Sequence, residues 1–196
     1  MLTRKIAHYA SKLALRQQAA RLRCIVFIFV YTQKKQPYLK WVFMYSSRKL
    51  LKGRHSLNNH FYAITICSYN KTPLFYNFQA ACIAAKTIQK FQDNGAVNTI
   101  CYTLMPDHLH WLLQLQNKTL SEIMRQYKSM TTVKINKLTH SQGQIWQTNY
   151  YEHLIRDESD LIHQARYIVA NPLRAGLVTR VADYPFWNCI YLNPYR

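Results

Sequence analysis

His108 and His110 stand one residue apart inside the largely apolar run Thr103-Leu104-Met105-Pro106-Asp107-His108-Leu109-His110-Trp111-Leu112-Leu113. Such a run predicts a strand buried on at least one face. Side chains alternate along a strand, so the two imidazoles emerge together while Leu109 and Trp111 leave from the other face. Paired imidazoles suit a divalent cation once a third ligand arrives from elsewhere in the chain. The plain alternative is a pair of half-buried histidines hydrogen-bonded to backbone. A second constellation lies downstream, where His163, Tyr167 and Asn171 follow one another at intervals of four and share one stripe of a predicted helix. A phenol is a poor nucleophile at its ordinary pKa of about 10. Beside a divalent metal that polarises a phosphodiester, its attack becomes feasible. A tyrosine on a helix facing two metal-binding histidines on a sheet is an arrangement for cutting or transferring a nucleic-acid strand. Composition alone does not select Tyr167 from fifteen tyrosines, Tyr127, Tyr150 and Tyr151 among them.

Elements must position these groups, and the overall charge says what they face. The 196 residues suffice for one domain with a sizeable core, and 49% of them are apolar. Twenty-six Lys and Arg oppose 8 acids, a net charge of +18, and the first acid from the amino end is Asp93. An excess of that size is costly in self-repulsion and is accounted for by a polyanionic partner, nucleic acid before an anionic membrane surface. The five cysteines are scattered and never in CxxC spacing, which points to reduced, buried thiols in a cytoplasmic protein. The apolar run Cys24 to Tyr31 is far shorter than the about 20 residues a membrane span needs.

Residues 1–43 carry Lys and Arg without acids and without a sustained period, and read as a basic extension ahead of a 44–196 domain, either an over-extended reading frame with Met44 as the start or a genuine arm that tracks phosphate. From His60 the pattern is orderly. Phe61 to Cys67 predicts a strand, Phe78 to Phe91 a helix capped near Asn94-Gly95, and Val97 to Leu104 with Leu109 to Leu115 a hairpin turning at Pro106-Asp107. Leu120 to Leu138 predicts a second helix, separated from Ile145-Trp146-Gln147 by a break at Gly143. Asp157 to Ala170 predicts a third, capped by Asp157 and ended by Asn171-Pro172. Arg156 and Asp157 read as a salt bridge anchoring that helix. Strand, helix, two strands and two helices make an α+β domain on an antiparallel sheet.

Three segments stand in a telling order: His108-Leu109-His110, Gly143-Gln144-Ile145-Trp146-Gln147, and Tyr167-Ile168-Val169-Ala170-Asn171-Pro172-Leu173-Arg174-Ala175-Gly176-Leu177-Val178. Together they resemble the single-tyrosine HUH transposases, and among these the REP-associated tyrosine transposases. Gly53-Arg54 followed by Tyr62-Ala63-Ile64-Thr65 resembles that group's amino-terminal opening, so the likeness covers about residues 44 to 190. The resemblance implies a ferredoxin-like or RRM-like sheet presenting His108 and His110 to Mg²⁺ or Mn²⁺. It also implies a helix supplying Tyr167, which attacks single-stranded DNA to give a 5′-phosphotyrosine link and a free 3′-hydroxyl. In insertion-sequence relatives a glutamine four residues after the tyrosine completes the metal site. Here that position is Asn171, with His163 as an unmatched alternative.

The family's partners are short hairpins of repetitive extragenic palindromes. Arg48, Lys49, Lys52 and Arg54 form a basic arm suited to phosphate, and Arg125, Lys128 and Lys134 on the second helix are placed to line a hairpin stem. Trp146, Tyr150 and Tyr151 are candidates for stacking on unpaired bases, with core packing preferred for Trp146. A monomer and a homodimer both fit the sequence, and no membrane contact is expected. Two rival readings use the same sheet without catalysis: a nucleic-acid-binding module in which Tyr167 merely packs, and an RNA-binding regulator.

Overall fold

In the computed structural model, residues 56–192 are described, so the expected extension over 1–43 and the arm residues Arg48, Lys49, Lys52 and Arg54 lie outside the described residues. The elements are β1 (Phe61–Cys67), α1 (Phe78–Asp93), β2 (Val97–Leu104), β3 (His108–Leu115), α2 (Leu120–Thr139), β4 (Tyr151–Leu154), α3 (Glu158–Arg174) and β5 (Trp187–Cys189). The strands form one antiparallel sheet in the order β4-β1-β3-β2-β5. Its first six elements follow the β-α-β-β-α-β path of a ferredoxin-like fold, to which α3 and the edge strand β5 are added. The expected α+β architecture is the one observed.

Alternation along β3 builds both layers at once. Leu109, Trp111, Leu113 and Leu115 are fully buried in the larger core, together with Ile64, Ile66, Ile88, Phe91 and Tyr127. The indole of Trp111 sits 5.6 Å from Tyr127 and 6.3 Å from Phe91, centroid to centroid. On the opposite face Leu112, Ala63 and Cys101 pack with Ala165, Ile168 and Val169 of α3. His108 and His110 emerge on that second face, half-buried, as strand alternation requires.

Local signals explain most boundaries. The Asn77 side chain accepts from the Ala80 N–H at the start of α1, and Thr119 with Glu122 forms a reciprocal capping box on α2. His140, in the left-handed region at φ 50°, closes α2 three residues before the expected Gly143 break. Asp157 caps α3 as expected, accepting from Asp160 N. The side-chain tie at this helix start is a His153–Asp160 hydrogen bond of 2.8 Å, where an Arg156–Asp157 bridge was expected.

The end of α3 corrects the sequence reading. The helix runs through Pro172 to Arg174 and stops at Gly176. Gly176 takes φ 64°, its N–H bonds to Leu173 O, and Leu177 N–H bonds to Pro172 O. That is a Schellman close, which a left-handed glycine makes without steric cost. Pro172 deprives the Ile168 carbonyl of its helical N–H donor. The Thr103 hydroxyl of β2 donates to that oxygen instead, at 2.8 Å. Two strands were also absent from the expectation. β4 and β5 are only four and three residues long, too short to carry a period. Among the described residues no helix is long and apolar enough to cross a membrane.

Candidate active site

Pairing sets the histidines in place. In the antiparallel register Thr65 of β1 and Thr103 of β2 both face His110, and Cys67 faces His108. His110 Nδ1 hydrogen-bonds the Thr65 hydroxyl at 2.9 Å. His108 Nδ1–H donates to Asp107 Oδ1 at 2.6 Å, which turns the other nitrogen outward. The two Nε2 atoms then stand 3.1 Å apart. That is hydrogen-bond distance, and two imidazole nitrogens so close on one face could both meet one divalent cation. A carboxylate behind a ligating imidazole is also the common support of a metal-binding histidine.

The electrostatics suit a neutral imidazole at His110. Burial pushes His110 well below the ordinary histidine value of 6.5, and the positive charges of His108 and Arg174 push it further the same way. Burial alone would raise Asp107, but the His108 hydrogen bond and charge, with Lys71, hold its carboxyl below the usual range. The His110 shift has a consequence for folding. The unfolded chain takes up the His110 proton at its ordinary value while the folded chain resists it, so the unfolded state binds more protons in that window. Stability of the metal-free protein therefore falls as pH drops from 6.5 towards the lowered folded value, and is unaffected by this group above 6.5. Urea midpoints measured from about pH 7.5 to about pH 5 check this. His110→Leu is expected to remove that component of the slope.

Helix α3 brings Tyr167 over the pair. Its ring stands edge-on to His110, 6.0 Å between centroids with an interplanar angle of 85°. Tyr167 is 39% exposed. Both residues line a cleft of about 910 Å³ between the sheet, α3 and the segment leading into β4. His163 lines the same cleft one turn earlier. Asn171 is close by on the helix, its Nδ2 donating to Tyr167 O at 3.0 Å, which leaves its carbonyl oxygen as the atom able to hold a cation. Among the described residues no group of three His, Cys, Asp or Glu is gathered, and Asn171 is not among the residues that line the cleft.

One residue of this site had no role in the sequence reading. The Arg174 guanidinium lies over the Tyr167 ring, 4.3 Å from its centroid. Seven residues are two helical turns, so the spacing from Tyr167 to Arg174 was the available signal. Ending the helix at Pro172 hid it.

The other candidates divide. Arg125 and Lys134 are exposed on α2. Lys128 is engaged inside the protein, its ammonium donating to the carbonyls of Gln147, Thr148 and Asn149 at 2.8, 3.0 and 3.0 Å. It holds the loop beside the cleft, whereas the sequence reading put it on a stem-facing surface. Lys128→Met is expected to cost about 1.5–3 kcal/mol in a urea melt, the scale of hydrogen bonds to a charged group. Trp146 is buried, as preferred, with its indole N–H on Thr131 Oγ1 at 2.8 Å. Tyr150 is buried too, which removes it from base stacking, and Tyr151 is exposed.

Residues 45–171 match the family described as "Transposase IS200 like". The chain belongs to that transposase family. Among its relatives, a putative REP-associated tyrosine transposase of Haemophilus influenzae is 32% identical over 99 residues, covering 45% of this chain and 56% of that protein. A REP-associated tyrosine transposase of Escherichia coli is 30% identical over 119 residues, covering 59% and 64%. The chain thus spans under two thirds of the length of both relatives. A solved REP-associated tyrosine transposase bound to a REP hairpin superposes with a TM-score of 0.60 at 24% identity, over 68% of this chain and 79% of that one. That likeness supports the fold. The resemblance to REP-associated tyrosine transposases read from the sequence is borne out.

Proposed function

We propose that this transposase-family protein cleaves and rejoins single-stranded DNA beside palindromic hairpins, with Tyr167 as nucleophile and His108 and His110 as ligands of Mg²⁺ or Mn²⁺. The observation that carries the reading is the meeting of Tyr167 with His110, 6.0 Å ring to ring in an open cleft, beside two Nε2 atoms 3.1 Å apart. The Tyr167 oxygen attacks phosphorus, the bond from phosphorus to the 3′-oxygen breaks, and that oxygen leaves as a hydroxyl carrying a proton. The DNA 5′-phosphate stays on the tyrosine, so the bond energy is kept for rejoining and no nucleotide cofactor is consumed. A bound divalent cation supplies charge stabilisation at the phosphoryl oxygens. His108 and His110 would offer ring-nitrogen lone pairs, burial disfavours the charged form of His110, and Asp107 orients His108. Arg174 adds a fixed positive charge beside the nucleophile, where an anionic phosphate is received.

None of the three proposed ligands, His108, His110 and Asn171, carries a negative charge. A divalent cation held there would gain charge compensation from the DNA phosphate. For the hairpin itself, the net charge of +18 and the exposed Arg125 and Lys134, with Arg48, Lys49, Lys52 and Arg54, supply phosphate contacts. The test is a labelled single-stranded hairpin incubated with the protein and Mn²⁺, then resolved on a denaturing gel. A protein-sized labelled band that disappears with EDTA is the expected result. Retardation on a native gel without a covalent band, over a broad panel of hairpins, would replace this reading with that of a binding module.

A further inference from the structure

A proline inside α3 sits five residues after Tyr167, and the carbonyl it deprives of a helical donor belongs to Ile168, the tyrosine's immediate neighbour. Ile168 is buried against the sheet, so that oxygen has little access to water. The group that reaches it is the hydroxyl of Thr103, itself 0% exposed, at 2.8 Å. Asn171 Nδ2 approaches the same oxygen only at 3.5 Å, the long limit of a hydrogen bond. Thr103 is also the residue paired with His110 across β2 and β3. One buried hydroxyl therefore ties the strand beside the histidine to the peptide beside the tyrosine.

We propose that Thr103 and Pro172 form a latch that sets the position of Tyr167 relative to His108 and His110. The inference rests on the reading of Tyr167 as nucleophile. An uninterrupted helix satisfies all its interior carbonyls and docks on a sheet through dispersion contacts, which tolerate small slides and rotations. Pro172 removes that self-sufficiency at one carbonyl. The helix then satisfies Ile168 O by sitting at one height and one rotation over Thr103, and any slip leaves a buried acceptor orphaned. Directionality is what a hydrogen bond adds here to apolar packing. Thr103 is on this view a positioning residue, acting through α3 and touching no substrate.

The experiment compares Thr103→Val, Thr103→Ser, Pro172→Ala and the double variant Thr103→Val with Pro172→Ala. Single-turnover adduct formation on saturating labelled hairpin DNA with Mn²⁺, hairpin affinity, thermal midpoint, and amide exchange along α3 in DNA-free protein are read for each. Thr103→Val is expected to slow adduct formation about tenfold or more, as small misplacements of reacting groups do, with hairpin affinity unchanged. Thr103→Ser, which keeps the donor, is expected to retain the rate. In the double variant the alanine that replaces Pro172 returns a helical N–H to Ile168 O. The midpoint then recovers and the rate does not. Recovery of rate together with midpoint would mean that Thr103 matters only for stability, and would overturn the latch. Where Thr103→Val does not fold, Pro172→Ala alone decides: it frees Ile168 O from dependence on Thr103, so adduct formation slows although the midpoint does not fall, and an unchanged rate overturns the proposal. If wild-type protein forms no adduct, the nucleophile reading fails. Faster α3 exchange in Thr103→Val then still shows the tether, and unchanged exchange refutes it.

Discussion

Tyr167→Phe is expected to abolish the covalent protein–DNA band and to leave hairpin binding as it was. The substitution removes one oxygen from a ring that keeps its place against His110 and under Arg174. The ring is 39% exposed, so stability is expected to move by no more than about 0.5 kcal/mol. Binding by charge and shape does not need the phenol, whereas the phosphotyrosine link cannot form without it. A denaturing gel for the adduct and a native gel for the complex, run on the same hairpin, separate the two. An adduct that survives in Tyr167→Phe would move the nucleophile elsewhere, with exposed Tyr151 of the same cleft as the next candidate.

His110→Ala is expected to lower Mn²⁺-supported cleavage by about two orders of magnitude or more, because loss even of a supporting carboxylate commonly costs 10- to 100-fold at a metal site. His108→Ala acts through the same pair. Asp107→Asn gives a smaller loss, since it spares both imidazoles and weakens only the 2.6 Å bond that orients His108. Titration of cleavage against Mn²⁺ distinguishes the cases. The Asp107 variant shifts the metal midpoint and recovers at high metal, and the histidine variants stay low throughout. Equal effects of all three, with no change in metal midpoint, would assign the histidines a structural role.

Much of the molecule was legible because its signals are local. β1 and β2 occupy runs rich in β-branched and aromatic residues, and the alternation through His108-Leu109-His110-Trp111 placed both histidines on one face. Asp157 before Glu158 announced the start of α3. β4 and β5 were not legible. Tyr151–Leu154 and Trp187–Cys189 are strands because the open edges of β1 and β2 offer them hydrogen bonds, and nothing in so few residues records that. The same holds for Lys128, which at sequence level is one more charge on an amphipathic helix. Three carbonyls of a loop about twenty residues away claim it.

Pro172 is the instructive failure. By local rules it ends a helix, and that rule removed Arg174 from the stripe that carries Tyr167. The helix continues because Thr103, sixty-five residues away from Ile168, supplies the donor that Pro172 withholds. Side-chain period pointed to the fold class and charge excess to a polyanionic partner, while the resemblance carried by His108-Leu109-His110 and the segment from Tyr167 pointed to the family and the residues to suspect. Tertiary structure alone decided which of those residues meet, which lysine faces inward, and that an arginine rests on the tyrosine. Periodicity reports which face of an element is buried. Distance and hydrogen-bond partnership across the sheet depend on residues that the chain brings together only when it folds.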